Sequence, residues 1–435
     1  MNSFIRRFLQ RGFVVNVSKI VSGMLVGQVS IFLLSPFLTK IYQPEQFGVL
    51  GSVQSIVATI WVIATLRYDL ALPLVKTKKE ANSLLTITLG FSAFFSLSLL
   101  VFLFFAIRIT DFGGYEYLKE MYWLLPIGVL LIAWFYSLSF YLIGKKQFSA
   151  VSMAKGVQGA GMGLGQLLLG LISASSLFLV IGYLLGYLLA ILVQIKKGFS
   201  SFQSLARRVH SGQSGLLETA KKFKQFPQYS VVSSFANIAS TQIPTVLLAI
   251  VYSPEIAGFF FLAQRILGMP IDLLATSIAQ VYLGESGKII EENPIKVLKL
   301  FKKIVLVMTL IGVLPMLLIL WKGEWMFEFI FGEDWRMAGV MAKYLTFMYF
   351  TRMILTPLSH TLIVLKKLNI QLGWDILRLV SLLTLFWYFS IVNIPITKFT
   401  FWFSLLMGGL YVFHGLLCFY YLMGKAVGAK RVNIS

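Results

Sequence analysis

An all-α polytopic membrane protein, with about twelve transmembrane helices in two parallel six-helix halves, is the fold class that three observations predict. Hydrophobic residues make up 58% of the 435 and charged ones only 13%, more apolar side chain than a soluble domain of this length can bury. Twelve apolar stretches reach roughly the 20 residues that a helix rising about 1.5 Å per residue needs to cross the hydrocarbon. The third observation is a repeated turn. Tyr42, Pro44, Glu45 and Gly48 recur 210 residues on as Tyr252, Pro254, Glu255 and Gly258, each time between two apolar stretches. The fourth stretch of each half also ends alike, with Leu142, Ile143, Lys145 and Lys146 answered by Leu362, Ile363, Lys366 and Lys367.

In order, the stretches fall near 20–39, 47–66, 83–107, 122–143, 150–172, 176–195, 229–250, 257–281, 304–321, 339–364, 372–392 and 399–423. Only Ser173 to Ser176 separates the fifth from the sixth, and a merged helix would be too long to span once, so the pair is expected to be a hairpin. The longest connection marks the seam between halves. The predicted organisation is an N-terminal six-helix bundle at 1–195, a cytoplasmic linker at 196–228 and a C-terminal six-helix bundle at 229–435. Within the linker, Leu216 to Phe223 has the pattern of a short basic amphipathic helix at the inner headgroups, and a solvated linker is the plain alternative. The start, Met1 to Arg11, is basic and leads into a full-length apolar segment without a small-residue cleavage site, as a retained first helix does.

The net charge of +21 follows the same division. With the N-terminus cytoplasmic, inner segments hold 27 of the 38 Lys and Arg and outer turns hold six, so both termini are expected inside. The repeated Tyr-x-Pro-Glu turn then falls outside both times. Because the basic residues sit in short connections between apolar runs, they set orientation, and nucleic acid is not an expected partner. Cys418 is the single cysteine, which leaves no intramolecular disulfide and no thiolate cluster. No phosphate-binding Gly-Lys-Ser/Thr loop is present, so transport driven by the chain's own ATP hydrolysis is excluded and no cofactor is expected. The outer turns are too short to hold an acceptor for chemistry, and no catalytic residue is assigned.

Seven charges fall inside spans: Lys155, Arg265, Lys343, Arg352 and Arg378, with Asp272 and Asp375. Each costs at least about 2.5 kcal/mol at a helix centre, so they should face water or one another. Lys343 is near the outer end and is expected to snorkel. Asp375 and Arg378, three apart on one helix, can neutralise each other locally. Lys155 sits among Gly156, Gly159, Gly161, Gly163 and Gly165, whose density predicts a second helix backbone close by. Arg265 lies too deep to reach either interface, and Asp272, seven residues on, shares nearly the same helix face. Arg352 is also near mid-depth. These positions make Arg265, Arg352 and Lys155 the candidate substrate-binding cations. The seventh stretch is unusually polar and the first is its counterpart, so Gln28, Asn237 and Gln242 are expected to wall a polar cavity. His360 and His414 have no carboxylate or cysteine at ligand spacing, so no metal site is expected.

The run Ser35-Pro36-Phe37-Leu38-Thr39-Lys40-Ile41-Tyr42, with Pro44, Glu45, Phe47 and Gly48, is followed by Arg67-Tyr68-Asp69-Leu70-Ala71 and Lys78-Lys79-Glu80-Ala81. Over residues 19–82 this resembles bacterial polysaccharide repeat-unit flippases, the O-antigen and capsule translocases of the multidrug/oligosaccharidyl-lipid/polysaccharide exporter superfamily. The resemblance implies an alternating-access transporter in the bacterial plasma membrane. Its substrate would be an undecaprenyl-diphosphate-linked oligosaccharide, moved from the inner to the outer leaflet among membrane lipids, with a polysaccharide polymerase and chain-length machinery as further candidate partners. It also implies a cationic central cavity, which Lys155, Arg265 and Arg352 match in type without a strict motif. Coupling to an ion or pairing of charge would fall to Asp69, Asp272, Asp375 and Arg378. The rival readings are a cation-coupled drug exporter of the same superfamily, which would need more carboxylates in its spans, a membrane polymerase or ligase, and a non-transporting scaffold.

Overall fold

The physical demand on an apolar chain in lipid is that each backbone N–H and C=O be satisfied within its own segment, which helices do. The computed structural model describes residues 11–75, 77–109, 116–198, 215–392 and 394–432, and every regular element among them is helical. Arg6, Arg7, Lys76, Arg207 and Arg208 of the expected basic inner face lie outside the described residues.

The first half of the chain forms α1 Arg11–Ile41, α2 Pro44–Ala64, α3 Lys78–Ile109, α4 Glu116–Met121, α5 Leu124–Gly144, α6 Phe148–Ile172 and α7 Ser176–Lys197. The linker contributes α8 Leu216–Lys222. The rest forms α9 Val231–Val251, α10 Pro254–Ile289, α11 Pro294–Phe331, α12 Arg336–Leu355, α13 His360–Val364, α14 Leu368–Val392 and α15 Ile396–Val432.

Ten helices among the described residues are long and apolar enough to cross a membrane. The fifth and tenth expected stretches also fold as helix but are less apolar. Helix α6 carries Lys155, Gln158, Gln166 and six glycines. The stretch 339–364 is interrupted at Pro357, which has no N–H to give to the helix ladder. Helix α12 therefore ends at Leu355, a 3-10 turn takes Thr356–Leu358, and α13 follows.

Two of the three most apolar helices are the least covered by protein. Only 11% of the apolar stretch is buried in Lys78–Ile109 and in Pro294–Phe331, against 72% in Pro44–Ala64. Lipid must supply the missing apolar surroundings.

Two compact units divide the chain, 1–246 and 247–435. In the first, α6 lies between α1 and α7 at backbone contact, as its glycines predict. A methyl group at Gly159 would collide with the Gly27 backbone, and one at Gly182 with the Gln166 backbone. Helices α2 and α3 pack on α5, around a core that includes Leu84, Phe135 and Tyr141. Helix α8 is fastened to this unit rather than left solvated. The Tyr68 hydroxyl donates to Ala220 O at 3.1 Å, Lys222 pairs with Glu80, and Thr219 is buried while Leu217 stays exposed. In the second unit, α12 packs against α10, α11 and α15.

The repeated turns share two features. Pro44 and Pro254 each open a helix, where a missing N–H costs nothing. The Tyr42 hydroxyl donates to Gln166 O at 2.9 Å, and the Tyr252 hydroxyl to Ile394 O at 2.9 Å.

Candidate functional site

A helix buried in lipid or protein places its polar side chains where a partner exists, so the informative residues are those without one. Arg265, on the first half of α10, is such a residue. Its Nη1 and Nη2 are buried and have no hydrogen-bond partner among the described residues. A guanidinium is always charged and presents five donors in a planar fork, which suits an anion with several oxygens.

Asp272 sits two turns further along the same helix, about 10 Å by the helical rise, yet it does not serve Arg265. Its Oδ1 accepts from Arg352 Nη2 at 2.6 Å, across from α10 to α12. The Arg352 guanidinium also lies 5.6 Å from the Tyr349 ring. The pair is unevenly covered, with Arg352 21% and Asp272 42% exposed. Lys343 is held too, by Glu324 of α11 at 2.8 Å, where snorkelling alone was expected.

Asp375 and Arg378 lie in a buried cluster between α14 and α15. The Gln371 amide donates to Asp375 at 3.4 Å, and the same side chain meets His414 Nε2 at 3.1 Å. Arg378 lies 4.5 Å from the Trp374 ring and donates to the Tyr411 hydroxyl at 3.5 Å.

In the first unit, Asp69 is fully buried and pairs with Arg67 at 3.4 Å. The chain enters this pair through two successive left-handed residues, Leu66 (φ 49°) and Arg67 (φ 56°), after α2 ends. Both groups are desolvated between spans. Burial pushes the Asp69 carboxyl above the usual carboxylate range, against the pull of Arg67, and burial lowers Arg67.

Lys155 and Gln28 share a small cavity with Gln158, Phe135, Tyr136 and Tyr187. Gln242 of α9 accepts from the Ser55 hydroxyl at 3.4 Å. Asn237 is exposed, and its backbone carbonyl accepts from the Ser240 hydroxyl.

The expected cations thus divide by environment. Arg352 has an acidic partner, while Arg265 has none among the described residues. Glu324, Tyr349 and the tyrosines beside Lys155 escaped the sequence reading. Gln158 could have been found, since it stands three residues from Lys155 on one helix face.

The family model described as polysaccharide biosynthesis protein matches residues 37–340. Among curated proteins no sequence match was found. Solved structures that resemble the chain include a MATE protein in complex with MaL6, at 13% identity and TM-score 0.63, covering 96% of this chain and 97% of that one. A transporter of the MOP superfamily from Pyrococcus furiosus, described as having a binding pocket of reverse polarity, aligns at 11% identity and TM-score 0.61 over 95% of this chain and 96% of its own. An outward-facing multidrug resistance MATE family transporter of that superfamily aligns at 12% identity and TM-score 0.59, over 95% and 96%.

Proposed function

Because this chain belongs to the polysaccharide biosynthesis protein family and has the fold of a membrane transporter, we propose that it is a flippase for a lipid-linked oligosaccharide. The substrate is an undecaprenyl-diphosphate-linked repeat unit, carried from the inner to the outer leaflet of the bacterial plasma membrane for O-antigen, capsule or exopolysaccharide assembly. Both termini face the cytoplasm, and a polymerase with its chain-length machinery receives the product.

The observation that carries this reading is the Arg265 guanidinium, buried on a membrane helix with two nitrogens unpartnered among the described residues. A diphosphate supplies what it lacks, several anionic oxygens that accept bidentate, charge-assisted hydrogen bonds. Arg352 follows once Asp272 lets go, so the acidic partner keeps that cation satisfied until substrate arrives. Moving the anion outward is downhill by about 2.3 kcal/mol per charge per 100 mV in an inside-negative cell. Any coupling to protons or sodium falls to Asp69, Asp272 or the Asp375–Arg378 cluster. Within the spans expected from sequence, basic groups outnumber acidic ones, five to two, which disfavours an exporter of cationic drugs.

The test is where the lipid-linked unit accumulates when the gene is deleted. An impermeant sugar-oxidising probe should find the complete unit protected in intact spheroplasts and exposed in opened ones. A unit already exposed outside but unpolymerised would overturn the flippase in favour of a polymerase or ligase.

A further inference from the structure

The cavity around Lys155 is built differently from the surroundings of Arg265. It has a volume of about 130 Å³ and lies where α1, α5, α6 and α7 meet, lined by Gln28, Phe135, Tyr136, Lys155, Gln158 and Tyr187. Lys155 is half-buried and makes no hydrogen bond or ion pair with the described residues. Gln28 Oε1 is buried and unpartnered among them. The aromatic wall is braced from behind. Tyr136 stacks on Trp61 at 4.5 Å and 16°, and Phe135 meets both Tyr136 and Tyr187 edge-on, at 5.3 and 5.4 Å. Tyr187 is also edge-on to Tyr183 at 5.3 Å.

The two unpartnered groups ask for opposite things. The ammonium has three donors and no acceptor, so it wants an anionic oxygen, while Gln28 Oε1 wants a donor. An ionised diphosphate has no hydrogen to give Gln28. A sugar bearing a carboxylate satisfies both, with its carboxylate at Lys155 and a neighbouring hydroxyl at Gln28. The C–H face of its ring can lie on the tyrosines. The cavity is small, with room for the carboxylate edge of one ring rather than a whole repeat unit.

We propose that this cavity is a subsite for an acidic sugar of the oligosaccharide, separate from the arginines that meet the diphosphate. The proposal rests on the flippase reading and narrows it. Lys155 and Gln28 select a uronic-acid residue, and Tyr136 and Tyr187 form the platform under it.

The experiment is equilibrium binding to the purified full-length chain by saturation-transfer NMR, with methyl galacturonide, methyl galactoside and pyrophosphate as probes. The galacturonide should bind, and the neutral galactoside about tenfold more weakly, the equivalent of one charge-assisted contact. Lys155→Met and Gln28→Leu should each weaken galacturonide binding by about tenfold or more, and Lys155→Arg should retain it. Galacturonide binding that is absent, or indifferent to Lys155→Met while Lys155→Arg elutes as folded protein, overturns the subsite. So does pyrophosphate binding that Lys155→Met abolishes. Because a monosaccharide is read at equilibrium, these results do not depend on translocation. A chain that flips its lipid but binds no galacturonide loses only the subsite, and one that binds galacturonide but flips nothing loses only the flippase.

Discussion

Lys146 and Lys366, 220 residues apart, hold the same left-handed backbone, φ 59° and φ 58°. Around each, the hydrogen bonds coincide. Lys145 N donates to Tyr141 O and Gln147 N to Leu142 O, as Leu365 N does to Thr361 O and Lys367 N to Leu362 O. This is a Schellman-type helix end, in which the left-handed position usually belongs to glycine. Both lysines are exposed, so their side chains contribute no packing there. Lys146→Gly and Lys366→Gly should each raise stability in detergent by up to about 1 kcal/mol, by removing a left-handed side chain. Thermal unfolding of each variant is the check, and Lys366→Val should shift the other way.

The two tyrosines of the repeated turn are a second matched pair, with unequal surroundings. Tyr42 is 1% exposed, whereas Tyr252 is only partly buried. Tyr42→Phe should cost about 1–2 kcal/mol, since its bond to Gln166 O is lost out of reach of water. Tyr252→Phe should cost less, about 0.5–1 kcal/mol, and the same unfolding measurement ranks the two.

What the sequence made legible is what local rules govern. Apolar length located the spans, glycine density on α6 announced the backbone contact with α1 and α7, and the recurring turn residues announced matched helix ends. Even the break at Thr356 had its signal in Pro357. Partners across helices were not legible. The seven-residue spacing put Asp272 on the face of Arg265, but its actual partner, Arg352, comes from another helix 80 residues away. Nothing in periodicity joins Lys343 to Glu324. The tyrosines beside Lys155 were hidden because 15% of the chain is aromatic, so two more in apolar runs carry no signal.

The Arg352–Asp272 pair predicts coupled losses. Asp272→Asn should destabilise the chain by about 1–2 kcal/mol, less than the about 3–5 kcal/mol of a fully buried pair, because Asp272 is 42% exposed. Combining it with Arg352→Met should cost less than the two single changes added together. A double-mutant cycle with no coupling would mean the pair contributes nothing.

Asp69 predicts a pH dependence. Its carboxyl is raised above the usual range by burial, so the folded chain binds this proton more tightly than the unfolded one. Stability from this group therefore falls as pH rises from the ordinary carboxylate value, about 3.9, through the raised folded value. Asp69→Asn should lack that decline, so its stability relative to the wild type should change across the acid range and level off above it. Unfolding midpoints of both proteins across acid to neutral pH test this, and parallel curves would count against a titrating Asp69.

The most direct measurement is translocation in a defined membrane. Proteoliposomes holding the purified chain and a labelled undecaprenyl-diphosphate-linked oligosaccharide are treated from outside with an impermeant sugar-oxidising probe. Wild type should expose the inner-leaflet fraction as well as the outer, and Arg265→Met should leave the inner fraction protected over the same interval. Wild-type vesicles that keep the inner fraction protected, or an Arg265→Met variant that exposes it as fast as wild type, would contradict a flippase that grips its substrate through Arg265.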